Sequence, residues 1–259
     1  MSDEQYDAAL DLVRRLDPKN IAADLTTICQ SCPDLAEDLL STVDKPLIAK
    51  ACPSGKQYLC CDYNRDGDSY KSPFTGKYYP EVDDAPVISA ALRELEVLLN
   101  GAFDTYRDLY FNGGLCSCYL WDQDDHDEGF AGVVLLKNSQ GESWWDSIHV
   151  FEASKSGAHF NYKLTSTVIL GVRSPVVKLT GNLTRQADKR APVQEDWDHV
   201  ANIGQLVEET ESKLRSMLNE IYFGKTKDIL GDIRTPDSLS EIRRNAKLES
   251  EVIRSLPGH

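Results

Sequence analysis

The run LCSCYLW occupies residues 115–121, and FAGVVLL follows it at residues 130–136. They are the first of five runs, rich in aromatic and β-branched residues and bounded by turn residues, that are typical of β-strands. The later runs are residues 144–151, 158–170 and 176–184. The connections between the runs are too short for crossover helices, so we predict an antiparallel five-stranded sheet.

Helical periodicity flanks the predicted sheet on both sides. Apolar residues recur at helical spacing over residues 89–110, and a glycine pair at 113–114 follows. A second apolar stripe covers residues 200–221 and stops at Gly224. The sequence therefore predicts an α+β fold in which a long helix covers the sheet.

The segments outside the sheet predict the domain organisation. Residues 1–45 have the periodicity of short helices broken at prolines, which favours a helical stalk. Residues 46–88 contain five prolines and three glycines, and we predict a small central globule of short strands and turns. The sheet with its covering helices is assigned to residues 89–231, and a separate C-terminal segment to residues 232–259.

The composition excludes several classes of protein. The chain has 28 Lys and Arg against 42 Asp and Glu, and its net charge of -14 disfavours binding to nucleic acid. No apolar stretch is long enough to span a bilayer, and the N-terminus lacks the features of a signal peptide, so we expect a cytoplasmic protein. Its seven cysteines are then expected to be free thiols.

The sequence offers no support for catalysis. No histidine accompanies a glycine-flanked serine, and no phosphate-binding glycine loop is present, so we predict a protein that is not an enzyme. Cys29 and Cys32 have the spacing of a zinc or redox pair, but no comparable second pair accompanies them. Buried free thiols are the favoured interpretation, and Cys116 and Cys118 are expected to pack on one face of a strand. We predict neither a metal nor a cofactor.

The segment CDYNRDGDSY at residues 61–70 resembles the first half of a calcium-binding loop. Its oxygen-bearing side chains alternate as in an EF-hand: Asp62, Asn64, Asp66 and Asp68. Pro73 stands where such a loop needs its bidentate glutamate, and the flanking residues have no helical pattern. A turn in which Asp and Asn side chains bond nearby backbone amides is favoured. A calcium-binding module that uses the loop from Asp62 to Asp68 is the alternative function.

The C-terminal segment has the pattern of an amphipathic helix. Pro236 suits its first turn, and Ser238 is spaced from Glu241 as in a capping box. Its apolar stripe is Leu239, Ile242, Ala246, Ile253 and Leu256, with Val252 beside it. The sheet already has a covering helix, so this stripe is free to enter a groove on a partner. Packing on its own domain is the alternative.

Eight segments resemble the β subunit of the heterodimeric F-actin capping protein, in the same order along the chain. They are CDYNRDGDSY (61–70), FDTYRDLYF (103–111), YLWD (119–122), GFAGV (129–133), WDSIHV (145–150), YKLTSTV (162–168), LTRQ (183–186) and LNEIYFGKTKDI (218–229). The resemblance implies an obligate heterodimer with an α subunit of similar fold, whose sheet continues that of the β subunit. It also implies that the pair caps the barbed end of the actin filament, blocking subunit exchange without catalysis.

The resemblance also implies locations for the binding residues. The tail corresponds to an actin-binding tentacle helix, with contacts expected from Leu239, Ile242, Arg243, Arg244, Ala246, Lys247, Val252, Ile253 and Leu256. A basic root, Lys225, Lys227 and Arg234, is a candidate for contact with actin or with phosphoinositides. Regulatory capping-protein-interacting peptides are expected to bind a groove that includes Arg15, Asp44, Asp62 and Tyr78. The expected location is the actin cytoskeleton of the cytoplasm.

Overall fold

A computed structural model of the protein describes residues 21–33, 36, 46–123, 129–138, 143–173 and 178–224. The chain divides into two compact units, Met1–Lys45 and Pro46–His259. In the first unit, helix α1 spans Ile21–Ser31. The remainder of the predicted stalk lies outside the described residues, as does the predicted tail helix. No helix in the described part of the chain combines the length and apolarity needed to cross a membrane.

The second unit begins with short strands that form two small antiparallel sheets. Strands β1 (Ile48–Ala51) and β2 (Gln57–Cys60) form a hairpin. After a 3-10 helix at Asp62–Asn64, a three-stranded sheet follows: β3 (Arg65–Asp66), β4 (Ser69–Lys71) and β5 (Tyr78–Tyr79). Gly67 connects β3 to β4 with a φ of 55°, a backbone angle that favours glycine.

The rest of the second unit contains two long helices and a five-stranded sheet. Its elements are α2 (Ala90–Tyr110), β6 (Leu115–Asp122), β7 (Gly129–Asn138), β8 (Ser143–Ser156), β9 (His159–Arg173), β10 (Lys178–Pro192) and α3 (Asp196–Leu218). The strand order is β10-β9-β8-β7-β6, and every neighbouring pair is antiparallel. The predicted antiparallel five-stranded sheet and its helical cover are confirmed.

The main difference from the predicted strands is at β10, which extends to Pro192 although the predicted run stops at residue 184. The added residues are largely polar, and several are exposed because this strand lies at the edge of the sheet. Polar residues in an edge strand resemble a loop in sequence, since only one neighbouring strand supplies apolar contacts.

Both faces of the sheet carry apolar clusters. One face packs against α2 and α3, which bury Leu99, Phe103 and Ile203 against Val134 and Leu164. Burial of large side chains of this kind stabilises a fold by about 1.5–3 kcal/mol each. The opposite face packs near β6 and β7 against the β1–β2 hairpin, where the buried residues are Leu47, Leu59, Tyr119, Val133 and Leu135. Cys116 and Cys118 are buried on the helical side, as predicted.

The cysteine predictions are confirmed in one respect and wrong in another. All seven cysteines are free, as predicted for the chain. Cys32, however, is exposed and Cys29 only partly buried, so these two are not the buried thiols that were predicted. The reason is that α1 is largely open to solvent: five of its described side chains are exposed and none is buried.

A polar cluster lies between α3 and the sheet. The Glu211 side chain is fully buried, and its carboxylate accepts hydrogen bonds from Ser147 Oγ at 2.8 Å and from Tyr106 Oη at 2.7 Å. Arg215 Nε lies 3.9 Å from Glu211 Oε1. Burial, together with the charge of Glu211, raises the pKa of Tyr106 far above its usual range. These bonds fasten α3 to both α2 and β8.

His149 completes this cluster and is also fully buried. Its Nδ1 lies 2.8 Å from Ser166 Oγ, while its Nε2 lies 3.8 Å from Glu211 Oε2. Burial lowers the pKa of His149 below its ordinary value, although the charge of Glu211 opposes this effect. The neutral imidazole is therefore the form that the fold favours.

We expect this histidine to make the protein less stable in mild acid. Unfolding restores the ordinary pKa of 6.5, so the unfolded chain binds the proton more readily, and the free energy of unfolding falls as the pH drops below about 6.5. Urea denaturation between about pH 5.5 and 7.5 measures the slope. His149→Gln should flatten it, whereas His159→Gln, at the β8–β9 turn, serves as the control. An unchanged slope in His149→Gln would contradict this assignment.

Candidate functional site

One edge of the five-stranded sheet is closed by side chains of α2. The Asn100 side chain pairs with Cys118 as a neighbouring strand would: Nδ2 donates to Cys118 O, and Cys118 N donates to Oδ1, both at 2.9 Å. The next outward amide, Leu120 N, donates to Glu96 Oε2 at 2.8 Å. Since these backbone groups of β6 already have partners, a further strand has no unpaired groups to bond at these positions.

Glu96 also connects this closed edge to the small three-stranded sheet. The Glu96 carboxylate is fully buried. Its Oε2 forms an ion pair with Lys71 Nζ at 3.0 Å, and its Oε1 forms an ion pair with Arg93 Nη1. Arg93 Nη2 donates in turn to Pro73 O at 2.7 Å. A buried carboxylate needs such compensation because its desolvation is costly. The Glu96 carboxylate thus joins α2 to β4 through Lys71 and to β6 through Leu120 N.

The opposite edge, strand β10, is open. It pairs along all 15 of its residues with β9, and no strand in the described part of the chain pairs with its other side. Thr184, Gln186, Asp188 and Arg190 alternate along it and are exposed. A long edge strand with unpaired N–H and C=O groups is a template for strand addition from another chain. Strand β10 is therefore our candidate subunit interface.

The end of α3 lies beside this open edge. Leu214 and Leu218 are buried against Val168 of β9, and Leu183 of β10 packs on the same cluster. The Arg215 guanidinium stacks on two aromatic rings, those of Phe111 at 4.5 Å and Trp145 at 4.8 Å. A π-helical turn at Asn219–Gly224 continues α3 to the start of the predicted basic root. The end of α3 is therefore part of the apolar cluster that lies under the candidate interface.

Two residues of the predicted regulator groove lie in the described part of the chain. Asp62 is almost fully exposed at the start of the 3-10 helix, with Arg65 Nη1 at 3.9 Å. Tyr78 is 8% exposed in β5, and burial raises its pKa. The other predicted site residues lie outside the described residues: Arg15, Asp44, Lys225, Lys227, Arg234, Leu239, Ile242, Arg243, Arg244, Ala246, Lys247, Val252, Ile253 and Leu256.

The contacts of the 61–70 segment favour the structural turn over the calcium loop. Asn64 is buried; its Oδ1 accepts a hydrogen bond from Cys61 N at 2.8 Å, and its Nδ2 donates to Lys71 O at 2.9 Å. The predicted bonding of a side chain to a nearby amide is thus confirmed for Asn64. Asp66 belongs to β3, paired with Ser69. Within the described residues, no cluster of metal-ligating side chains occurs, and the calcium alternative finds no support.

Two features of the site escaped the sequence-based prediction. Tyr63, 53% exposed, stacks on Trp121 with 4.9 Å between ring centroids and 3° between planes. This aromatic pair adjoins Asp62 and has no signal in the sequence. Glu96 and Asn100 close the β6 edge, and they did leave a signal: two polar residues four positions apart, beside the apolar stripe of α2.

These features together define a class of protein: an α+β fold with one sheet edge closed by its own helix and the other edge left unpaired by the described strands. The family model described as F-actin capping protein, beta subunit, matches residues 6–230. The chain belongs to the F-actin capping protein β subunit family.

Curated relatives and a solved structure agree with this assignment. F-actin-capping protein subunit beta of Yarrowia lipolytica is 55% identical over 261 residues, which cover 99% of this chain and 100% of that protein. The Aspergillus oryzae protein of the same name is 49% identical, with 99% of each chain covered. The homodimeric actin capping protein alpha subunit from Plasmodium berghei has a similar fold, with a TM-score of 0.57 and 16% identity, covering 90% of this chain and 97% of that one.

Proposed function

We propose that this chain is the β subunit of a heterodimer that binds and caps the barbed ends of actin filaments, blocking subunit exchange without catalysis. Its membership in the family is the observation that carries the proposal. The place of action is the actin cytoskeleton of the cytoplasm. In this proposal residues 1–45 are the stalk, 46–88 the central globule, 89–231 the sheet with its helices, and 232–259 the actin-binding tail.

The partner in this proposal is the capping protein α subunit, whose sheet pairs with β10. The asymmetry of the sheet supports this choice of edge, because side chains of Glu96 and Asn100 occupy the outward groups of β6, while β10 has none of its outward groups paired with another described strand. The fold shared with an α subunit from Plasmodium berghei supports a partner of similar architecture. Two such chains related by a two-fold axis form one continuous sheet.

Actin binding is assigned to the tail and its root. The apolar stripe of residues 239–256 enters a hydrophobic cleft of the terminal actin, and Lys225, Lys227 and Arg234 contact acidic groups of actin or phosphoinositide headgroups. A tail seated in this cleft occludes the position of the next actin subunit, which blocks both addition and loss. The position of α3, whose end lies beside β10, supports a tail that starts near the subunit interface.

Regulation is assigned to the groove that includes Arg15, Asp44, Asp62 and Tyr78, where capping-protein-interacting peptides bind. The exposure of Asp62 supports this role, because among the described residues its carboxylate has one ion-pair partner, Arg65 Nη1 at 3.9 Å. The exposed Tyr63 ring beside it offers apolar surface to the same peptide.

The subunit interface can be tested by amide hydrogen exchange. When the chain is co-expressed with an α subunit and purified by size-exclusion chromatography, we expect a stable one-to-one complex. Outward amides of β10 should exchange much more slowly in this complex, because strand addition gives them hydrogen-bond partners. The amides of Cys118 and Leu120 serve as the internal control, since α2 already protects them. A complex in which the β10 amides exchange as before would contradict this interface.

A further inference from the structure

The open edge strand is basic in an acidic protein. Strand β10 carries Lys178, Arg185, Lys189 and Arg190 against a single acid, Asp188, which gives it a net charge of +3. The whole chain has a net charge of -14. The charge of this strand thus opposes that of the protein as a whole.

The positive charges of Arg185, Lys189 and Arg190 are not neutralised within the described structure. Arg185 and Arg190 are exposed, and no described residue forms an ion pair with either of them. Lys189 Nζ donates to the uncharged amide of Gln205 at 2.7 Å, which leaves its charge in place. Arg185 and Lys189 lie opposite Ser166 and Tyr162 of β9, on the face that packs against α3. Arg190, one residue on, lies on the other face.

A strand that pairs with β10 must face these charges at short range. Side chains directly opposite one another in an antiparallel pair have Cβ atoms about 4.5–5.5 Å apart, and diagonal neighbours lie within reach of long side chains. Opposite charges at such positions stabilise the pair, whereas like charges destabilise it. The charge of the incoming strand therefore decides how well it pairs.

A second copy of this chain is a poor match for the edge. Two copies related by a two-fold axis perpendicular to the sheet pair residues of the same face. When the pairing is centred anywhere between Arg185 and Arg190, like charges lie directly or diagonally opposite one another. Centring the pairing on Lys189 also places Asp188 opposite Arg190, an attraction that offsets the repulsion in that register. Self-pairing through the basic half of β10 is therefore disfavoured in most registers.

We infer that the charge of β10 selects its partner: the edge accepts an acidic strand from a different chain and rejects a second copy of itself. This inference rests on the proposed heterodimer, and it adds the chemistry that the partner strand must have. The joining strand of the α subunit carries Asp or Glu at positions opposite Arg185 and Arg190. Electrostatic complementarity of this kind attracts the correct partner and also repels the wrong one.

The test is reversal of the two exposed arginines in the full chain, Arg185→Glu with Arg190→Glu, co-expressed with the α subunit. We expect the dissociation constant of the heterodimer to rise at least about tenfold. The matched control is Lys56→Glu with Lys77→Glu, which makes the same change in net charge at exposed turns away from β10. Raising the salt from about 0.1 to 0.5 M should weaken the wild-type heterodimer and affect the reversed variant less.

Folding and self-association need their own measurements. Circular dichroism checks the fold of the reversed chain, and Arg185→Gln with Arg190→Gln, which removes charge without repulsion, should give a smaller loss of affinity. Analytical ultracentrifugation gives the oligomeric state of the wild-type chain alone, and hydrogen exchange gives the protection of its β10 amides. We expect no dimer in which these amides are protected. Such a homodimer would overturn the inference.

The outcomes separate this inference from the proposed function. If the wild-type heterodimer forms and Arg185→Glu with Arg190→Glu binds the α subunit as tightly as the wild type, or if the control weakens as much as the β10 variant, the charge selection is wrong and the heterodimer stands. If the wild-type chain does not bind the α subunit, both the proposed function and the inference fail.

Discussion

Deleting residues 232–259 is expected to weaken barbed-end capping by the heterodimer on the order of a hundredfold or more, while the complex still assembles. The apolar stripe of the deleted segment, with Val252 beside it, contains five large aliphatic residues, and their burial in an actin cleft is worth on the order of 10 kcal/mol gross. The entropic costs of ordering the helix and of association offset much of this gain. The ordering cost arises because an isolated helix of this length is only marginally stable in water. Assembly is spared because β10 and α3 precede the deletion.

A seeded actin polymerisation assay measures this effect as the concentration of heterodimer that halves barbed-end growth. The matched control removes only residues 257–259, which lie beyond the apolar stripe, and should cap like the full chain. Size-exclusion chromatography confirms that both complexes remain intact. Undiminished capping after the long deletion would show that the tail packs on its own domain or has another role.

Replacing Glu96 by alanine is expected to lower the free energy of unfolding by about 3–5 kcal/mol, the cost of breaking a buried ion pair by removing one partner. Lys71, whose side chain is 8% exposed, would keep a buried charge without its carboxylate. The amide of Leu120 would also lose its acceptor, which reopens part of the β6 edge.

Urea denaturation of the purified complex measures this loss. Glu94→Ala is the matched control, because it removes an exposed glutamate from the same helix and should change stability by less than about 0.5 kcal/mol. If Glu96→Ala and Glu94→Ala unfold at the same urea concentration, Glu96 does not hold the small sheet to the large one. Increased self-association of Glu96→Ala would further support the role of Glu96 in closing the edge.

Much of this fold could be predicted because its periodicities are strong. The apolar stripe over residues 89–110 predicts α2, and the helix begins within one residue of the predicted start. The prediction works because the buried face of this helix is continuously apolar. The core strands β6 and β7 were equally predictable from the sequence, because strands buried on both faces appear as unbroken apolar runs. In both cases local pattern and tertiary burial agree.

The parts that were not predicted depend on tertiary contacts. The last eight residues of β10 look like a loop, because an edge strand needs fewer apolar residues than a central one. The closure of β6 by Asn100 and Glu96 requires that a helix and a strand far apart in sequence meet. The burial of Tyr78 likewise follows from the packing of a two-residue strand, which has no period to detect.

Capping of barbed ends by this chain, as one half of a heterodimer, is the proposed function. Its most direct test is the growth of single actin filaments under a fluorescence microscope, with this chain and an α subunit added together or separately. We expect the purified complex to arrest growth at barbed ends while pointed ends continue, and neither subunit alone to do so. Barbed ends that keep growing at saturating concentrations of the intact complex would show that this chain does not cap them.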